Sequence, residues 1–162
     1  LFELRMVQTD PNFANYQYRS GTGEIVLLDF GATRRFKAGF VNNYRKLLAA
    51  AMTEDEGKLV AAAERIGYAM GDEDSEYRAL VLELFLLALE PLRHEGVYDF
   101  AHSDMSKRMS ALAEEVADYR DFWRAPPTDA MYFHRKLGGM FLLASRVKSR
   151  VDVHELIKRW LP

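Results

Sequence analysis

The residues best suited to chemistry lie in two short motifs near the start of the chain. Asp10 is followed five positions later by Asn15, and Asp29 opens an Asp-Phe-Gly tripeptide after an apolar segment. Aspartate and asparagine supply the hard oxygen ligands that Mg2+ prefers, and nucleotide phosphates commonly complete its coordination. The two motifs therefore predict a magnesium site at which phosphates are bound.

The order of these residues is that of phosphoryl-transfer enzymes of the kinase type. There, a catalytic-loop aspartate precedes a metal-binding asparagine by five positions, and the Asp-Phe-Gly aspartate binds the metal that bridges the phosphates. We therefore predict Asp10 as the catalytic residue and Asn15 and Asp29 as metal ligands, with all three contributing to binding of Mg-ATP. Each motif alone also fits an ordinary turn in which a carboxylate accepts backbone hydrogen bonds.

A hairpin is expected to bring the two motifs together. Segments 16–20 and 24–29 favour β-structure and are joined by Gly-Thr-Gly, which suits a tight turn and is the only strand signal in the sequence. The hairpin would place Asn15 at its entry beside Asp29 at its exit. We also expect Phe30 to pack beneath the site and Gly31 to let the backbone turn sharply.

Helices are predicted for the remainder of the chain. From Phe40 onward apolar residues recur at spacings of three and four, and Thr53 with Glu56 has the form of a capping box. The predicted fold class is mainly α, a helical bundle with one short β-hairpin that carries the active-site residues. The expected helices lie near 40–52, 54–69, 74–92, 104–120, 129–149 and 153–160.

Composition limits the possible partners. The 162 residues suit one domain, and a net charge of −2 argues against binding to nucleic acid. The absence of cysteine excludes disulfides and thiolate chemistry. No signal peptide is visible, and because the chain opens with Leu1 we expect a fragment. The most apolar run, 79–92, is too short for a membrane helix.

Two further groups of residues have more than one interpretation. The four histidines lack the spacing of a zinc site. Gly138 and Gly139 interrupt a helical pattern, which indicates close packing of that helix against a neighbour. The alternative is functional: His134 and Arg135 in the same segment act near the metal site. An aromatic cluster, composed of Tyr119, Phe122 and Trp123, either seals the bundle or faces lipid.

At three places the sequence resembles the UbiB family of protein-kinase-like proteins. Gln-Thr-Asp-Pro-Asn at 8–12, followed by Asn15, resembles the catalytic loop of that family, which lacks the usual His-Arg-Asp. The segment 27–34 resembles its metal-binding segment and the residues after it. Pro126-Pro127 and His-Arg-Lys-Leu-Gly-Gly at 134–139 resemble an element of the coenzyme Q branch. The likeness covers essentially the whole chain.

The resemblance implies a fold, an activity and a setting. It implies a kinase-like C-terminal lobe over 1–162, with the catalytic loop and metal-binding segment at 8–34 and a helical remainder at 40–161. ATP and Mg2+ would serve an ATPase or a phosphotransferase that supports ubiquinone biosynthesis. Implied partners are isoprenoid quinone precursors, quinone-synthesis enzymes and a membrane surface visited peripherally. The expected location is the cytoplasm or the mitochondrial matrix.

The amino-terminal elements of that family have no counterpart in these 162 residues. The N-lobe that clamps the nucleotide is therefore expected to be missing, and the chain alone is expected to be inactive. Two alternatives remain open. One is a small-molecule phosphotransferase of the aminoglycoside or choline kinase type. The other is a non-catalytic helical module that binds an isoprenoid lipid or quinone-synthesis enzymes.

Overall fold

A computed structural model describes residues 1–72, 75–119 and 125–162. Helices dominate it, which confirms the mainly α fold class. Their order along the chain is α1 Ala38–Met52, α2 Glu56–Ile66, α3 Glu76–Ala88, α4 Glu90–Arg93, α5 Met105–Asp118, α6 Thr128–Arg146 and α7 Val153–Lys158.

The prediction of one continuous helix over 74–92 is wrong, because the structure has two helices, α3 and α4, in this range. The break falls at Leu89, which ends α3 and precedes α4, and Pro91 lies in the first turn of α4. Proline has no N–H to donate to the preceding turn, so a continuous helix would lose a hydrogen bond there. Of the predicted aromatic cluster, Phe122 and Trp123 lie outside the described residues.

The predicted capping box at the start of α2 is also wrong. The cap is Asp55, whose side chain accepts a hydrogen bond from the Lys58 N–H at 3.0 Å. Thr53 instead follows the last residue of α1, and its hydroxyl donates to the carbonyls of Ala49 and Ala50 at 3.2 Å.

In the part of the chain that the structure describes, three antiparallel strand pairs accompany the helices. The predicted hairpin is formed by β2 Tyr16–Arg19 and β3 Glu24–Leu27. Two further pairs were not predicted, because strands of two or three residues are too short to show an alternating pattern. They are β1 Met6–Gln8 with β4 Thr33–Arg35, and β5 Tyr98–Asp99 with β6 Arg150–Val151.

The core is built mainly from α1 and α2, which pack against each other. Phe36, Leu47 and Leu59 are its largest fully buried side chains. Partly buried apolar residues of α3 and the N-terminal segment pack around this core. Among the described helices, none combines the length and the apolar character required to cross a membrane.

Leu59→Ala is expected to lower the free energy of unfolding by about 2–5 kcal/mol, because the removed side chain leaves a cavity in the core. Leu59 is only 1% exposed in the folded chain. Chemical denaturation of the purified chain measures the change. Leu156→Ala is the matched control, because Leu156 is 55% exposed. Equal losses from the two variants would contradict this description of the core.

Candidate functional site

Buried Thr9 joins the two chemical motifs. Its backbone N–H and its hydroxyl both donate to the carbonyl of Ala32, at 3.0 and 2.9 Å. This contact extends the β1–β4 pairing, in which Gln8 is opposite Thr33. The residue before Asp10 is therefore fixed to the segment that follows the Asp-Phe-Gly tripeptide.

Asp10 and Asn15 are brought together by a single 3-10 turn. The turn covers Phe13–Asn15, and the Asn12 side chain caps it by accepting from the Ala14 N–H at 3.0 Å. At its end the Asn15 side-chain nitrogen donates to Asp10 Oδ2 at 3.0 Å. The amide nitrogen is a donor only, so the side-chain oxygen is the atom of Asn15 that can bind a metal.

The hairpin returns Asp29 to the same corner. Tyr16 is opposite Leu27 in the β2–β3 register, and the Leu28 N–H donates to the Asn15 carbonyl at 3.0 Å. Asp29 thus directly follows a residue bonded to Asn15. Its Oδ1 accepts from the Gly31 N–H at 2.7 Å, so a turn is present, and Oδ2 is the oxygen left for a ligand.

The donor set fits Mg2+ bound together with a nucleotide. Asp10, Asn15 and Asp29 offer only carboxylate and amide oxygens, and Mg2+ commonly takes one or two protein carboxylates and completes its octahedron with phosphates and water. Within 1–72, 75–119 and 125–162 there is no cluster of three His, Cys, Asp or Glu side chains able to hold a metal. The amide oxygen of Asn15 and a carboxylate oxygen of Asp29 are ligands of the chemical type that Mg2+ takes when phosphates and water complete its coordination.

The expectation for Phe30 is wrong. This residue is 61% exposed, and Leu27 and Leu28 beside it are also exposed. A two-stranded ribbon lacks a second layer, so its apolar side chains are left uncovered here. Gly31 is not in a left-handed conformation, but a Cβ at this position would lie 3.2 Å from Asp29 Oδ1. The glycine therefore leaves space for the turn.

Helix α6 packs directly on the catalytic loop. A Cβ on Gly139 would lie 2.0 Å from the Pro11 Cβ, a distance that two carbon atoms cannot adopt without movement. A Cβ on Gly138 would meet no atom within 4 Å. The prediction of close helix packing is confirmed for Gly139 and wrong for Gly138.

Side chains on the same helix reach the candidate site. Arg135 Nη2 lies 3.3 Å from Asp10 Oδ1, and the Lys136 ammonium donates to the Tyr16 hydroxyl. The sequence raised a role for Arg135 near the metal but gave no contact partner for it. Its partner is 125 positions away, and neither the two glycines nor the family resemblance of this segment indicated which residue that partner would be.

His134 belongs to a hydrogen-bonded triad with two tyrosines. Its Nε2 lies 2.6 Å from the Tyr68 hydroxyl and 3.0 Å from that of Tyr44, and the two hydroxyls are 2.7 Å apart. Burial lowers the pKa of His134 and raises the pKa of Tyr68 to about 12. The lowered pKa favours the neutral form of the ring, although part of His134 reaches the surface. The triad connects α1, the end of α2 and α6.

Comparison with known proteins adds independent evidence. Residues 1–63 match the ABC1 atypical kinase-like domain. The chain is 31% identical over 158 residues to "Atypical kinase COQ8B, mitochondrial" of Rattus norvegicus, an alignment that covers 98% of this chain and 30% of that protein.

Two other relatives give similar values. "Atypical kinase coq-8, mitochondrial" of Caenorhabditis elegans is 32% identical, with 94% of this chain and 20% of that protein covered. "Atypical kinase COQ8, mitochondrial" of Saccharomyces cerevisiae is 33% identical, with 96% and 31% covered. The chain thus spans about a third or less of the length of these relatives.

Gly139→Ala is expected to lower the free energy of unfolding by about 1–3 kcal/mol, because the added methyl group overlaps Pro11. Gly138→Ala is the matched control. It adds the same methyl group in open space and is expected to raise stability by about 0.5–1 kcal/mol through helix propensity. Denaturation curves give both values, and equal effects would show that α6 does not pack on Pro11.

His134 is expected to make stability depend on pH. As pH falls below the usual histidine pKa of about 6.5, the unfolded chain binds a proton that native His134 resists until its lowered pKa is reached. The free energy of unfolding therefore decreases as pH decreases through that window. His134→Gln should make this dependence on pH weaker.

Denaturation curves recorded between neutral and mildly acidic pH measure this slope. His102→Gln removes an exposed imidazole elsewhere and controls for the number of histidines. If the free energy of unfolding of His134→Gln depends on pH as steeply as that of wild type, His134 is not the cause of the pH dependence.

Proposed function

We propose that this chain, a member of the ABC1 atypical kinase-like family, forms the catalytic lobe of a kinase or ATPase that uses Mg-ATP. Asp10 is the catalytic aspartate in this proposal, and Asn15 and Asp29 are the metal ligands. Since the relatives are about three or more times longer, the proposal concerns the full-length protein. One observation carries it, namely the Asn15–Asp10 hydrogen bond together with the hairpin pairing, which brings Leu28, the residue before Asp29, into a backbone hydrogen bond with Asn15.

Asp10 is suited to receive a proton. In transfer, an acceptor hydroxyl or a water molecule forms a bond to the terminal phosphorus while the bond to the departing ADP oxygen breaks. The proton of that nucleophile passes to a carboxylate oxygen of Asp10. Asp10 is 28% exposed at the corner where the hairpin meets α6, so a nucleophile can reach it from solvent.

Asn15 and Asp29 would hold the ion through oxygen atoms. When bound, Mg2+ neutralises phosphate charge and orients the terminal phosphate for in-line attack. The Asn15 amide has its nitrogen on Asp10, which fixes the direction of its oxygen. The Asp29 turn fixes one carboxylate oxygen and leaves the second for the ion.

The setting of the activity follows from the resemblance to the coenzyme Q branch. We propose that the full-length protein supports ubiquinone biosynthesis, acts near isoprenoid quinone precursors and the enzymes that use them, and contacts a membrane peripherally. A mitochondrial location is supported by relatives whose names include "mitochondrial", and we propose the matrix as the compartment. The exposed apolar residues of the hairpin, including Phe30, suit coverage by an N-lobe in the longer protein.

Asp10→Asn and Asp29→Asn in the full-length protein are expected to lower Mg-dependent ATP turnover by roughly 100-fold or more, because each removes a carboxylate with a direct chemical role. Steady-state ADP release measures turnover. Asp118→Asn, an exposed aspartate of α5, is the matched control and should leave turnover unchanged.

Each arm of this experiment has a decisive outcome. Retained turnover in either aspartate variant would contradict the proposal, and retained ubiquinone synthesis in cells that carry them would favour the non-catalytic helical module. The 162-residue chain assayed alone should show no turnover, because nucleotide positioning needs both lobes. Robust turnover by the chain alone would contradict that part of the proposal.

A further inference from the structure

We infer that Arg135 is a positioning residue that orients the carboxylate of Asp10 from a distant helix. The inference rests on the proposed function, because it concerns the aspartate assigned there as catalytic. Its basis is a contact between residues 125 positions apart, with Arg135 Nη2 at 3.3 Å from Asp10 Oδ1.

The neighbours of Asp10 in the sequence do not orient it. Pro11 has no N–H, so the next residue cannot donate a backbone hydrogen bond to the carboxylate. The Thr9 hydroxyl is already used on the Ala32 carbonyl at 2.9 Å. The groups that hold Asp10 must therefore come from farther along the chain.

Two groups meet this need, one for each carboxylate oxygen. Asn15 donates to Oδ2 at 3.0 Å, and the Arg135 guanidinium lies on Oδ1. With both oxygens engaged, rotation of the carboxylate about its Cβ–Cγ bond would break both contacts. Since Asn15 is also the proposed metal ligand, Arg135 is the contact devoted to Asp10 alone.

The position of Arg135 is fixed by anchors on both sides of it in α6. On one side, Gly139 allows the helix to approach Pro11 closely. On the other side, His134 is held by the hydroxyls of Tyr44 and Tyr68. The contact with Asp10 therefore belongs to a helix that is docked against both the catalytic loop and the helical core.

A structural role alone does not account for Arg135. Its side chain is 63% exposed, and a solvent-exposed ion pair contributes little to folding stability. Misplacement of a catalytic group, in contrast, lowers the rate steeply with small shifts in position. Loss of Arg135 should therefore lower kcat clearly while it changes the free energy of unfolding little.

The test measures kcat and the KM for ATP in the full-length protein, together with thermal melting. Arg135→Gln is expected to lower kcat roughly tenfold with the KM for ATP within about twofold of wild type, since the residue orients Asp10 and does not bind nucleotide. Arg135→Lys restores a cation and should recover most of the lost kcat. Arg150→Gln, which removes the exposed partner of Asp99, is the matched control and should match wild type.

A second pair of variants moves the helix and keeps the arginine. Gly139→Ala should displace α6 from Pro11 and lower kcat with Arg135 present, whereas Gly138→Ala should leave kcat unchanged. This pair reports on the position of the helix independently of charge.

The results that overturn the inference are specific. A kcat of Arg135→Gln within about twofold of wild type, or a loss that appears wholly as a raised KM for ATP, would remove the positioning role. Asp10→Asn, assayed in parallel, separates this failure from failure of the proposed function. If Asp10→Asn abolishes turnover while Arg135→Gln matches wild type, only the inference about Arg135 fails. If Asp10→Asn retains turnover, the proposed function fails first.

Discussion

Two hydrogen bonds from Thr9 to the carbonyl of Ala32 hold the two halves of the candidate site in register. A buried hydroxyl needs a partner, and here that partner lies 23 positions away on the other side of the hairpin. Because Thr9 precedes Asp10 and Ala32 follows the Asp-Phe-Gly tripeptide, the bonds fix the entrance and the exit of the whole loop-hairpin segment. The hairpin between them then determines how near Asn15 comes to Asp29.

The helical bundle contributes more than a support for this segment. Helix α6 contacts the loop through Gly139 and Pro11, and it brings Arg135 to the carboxylate of Asp10. At the start of the same helix, Asp129 pairs at 3.0 Å with Arg34, which lies three residues after the Asp-Phe-Gly tripeptide. The site is thus held between a strand pair on one side and one long helix on the other. A change in either element would alter the geometry at Asp10.

Local patterns allowed part of this arrangement to be predicted. The glycine-rich connection and its β-favouring flanks were enough to locate the hairpin, and the apolar periodicity located the helices. The sequence offered Thr53 as the cap of α2, but the helix begins at Glu56 and its cap is Asp55. Thr53 is the residue that follows the end of α1. The break at Leu89 did not follow from the apolar pattern, because apolar residues continue on both sides of Pro91.

Contacts between distant positions could not be predicted. The glycine pair in α6 indicated a close approach but not its partner, since Pro11 is more than 120 positions away and sequence spacing carries no information about such pairs. The exposure of Phe30 depends on which surfaces cover the hairpin, and periodicity does not report this. Tertiary packing therefore decided how the predicted elements surround the site.

The most direct measurement locates a manganese ion by its anomalous scattering in crystals of the full-length protein with Mn2+ and a non-hydrolysable ATP analogue. We expect a single peak that contacts both the Asn15 side-chain oxygen and an Asp29 carboxylate oxygen, at roughly 2.1 Å from each. A peak that contacts neither residue, or only one of them, would contradict the shared metal site.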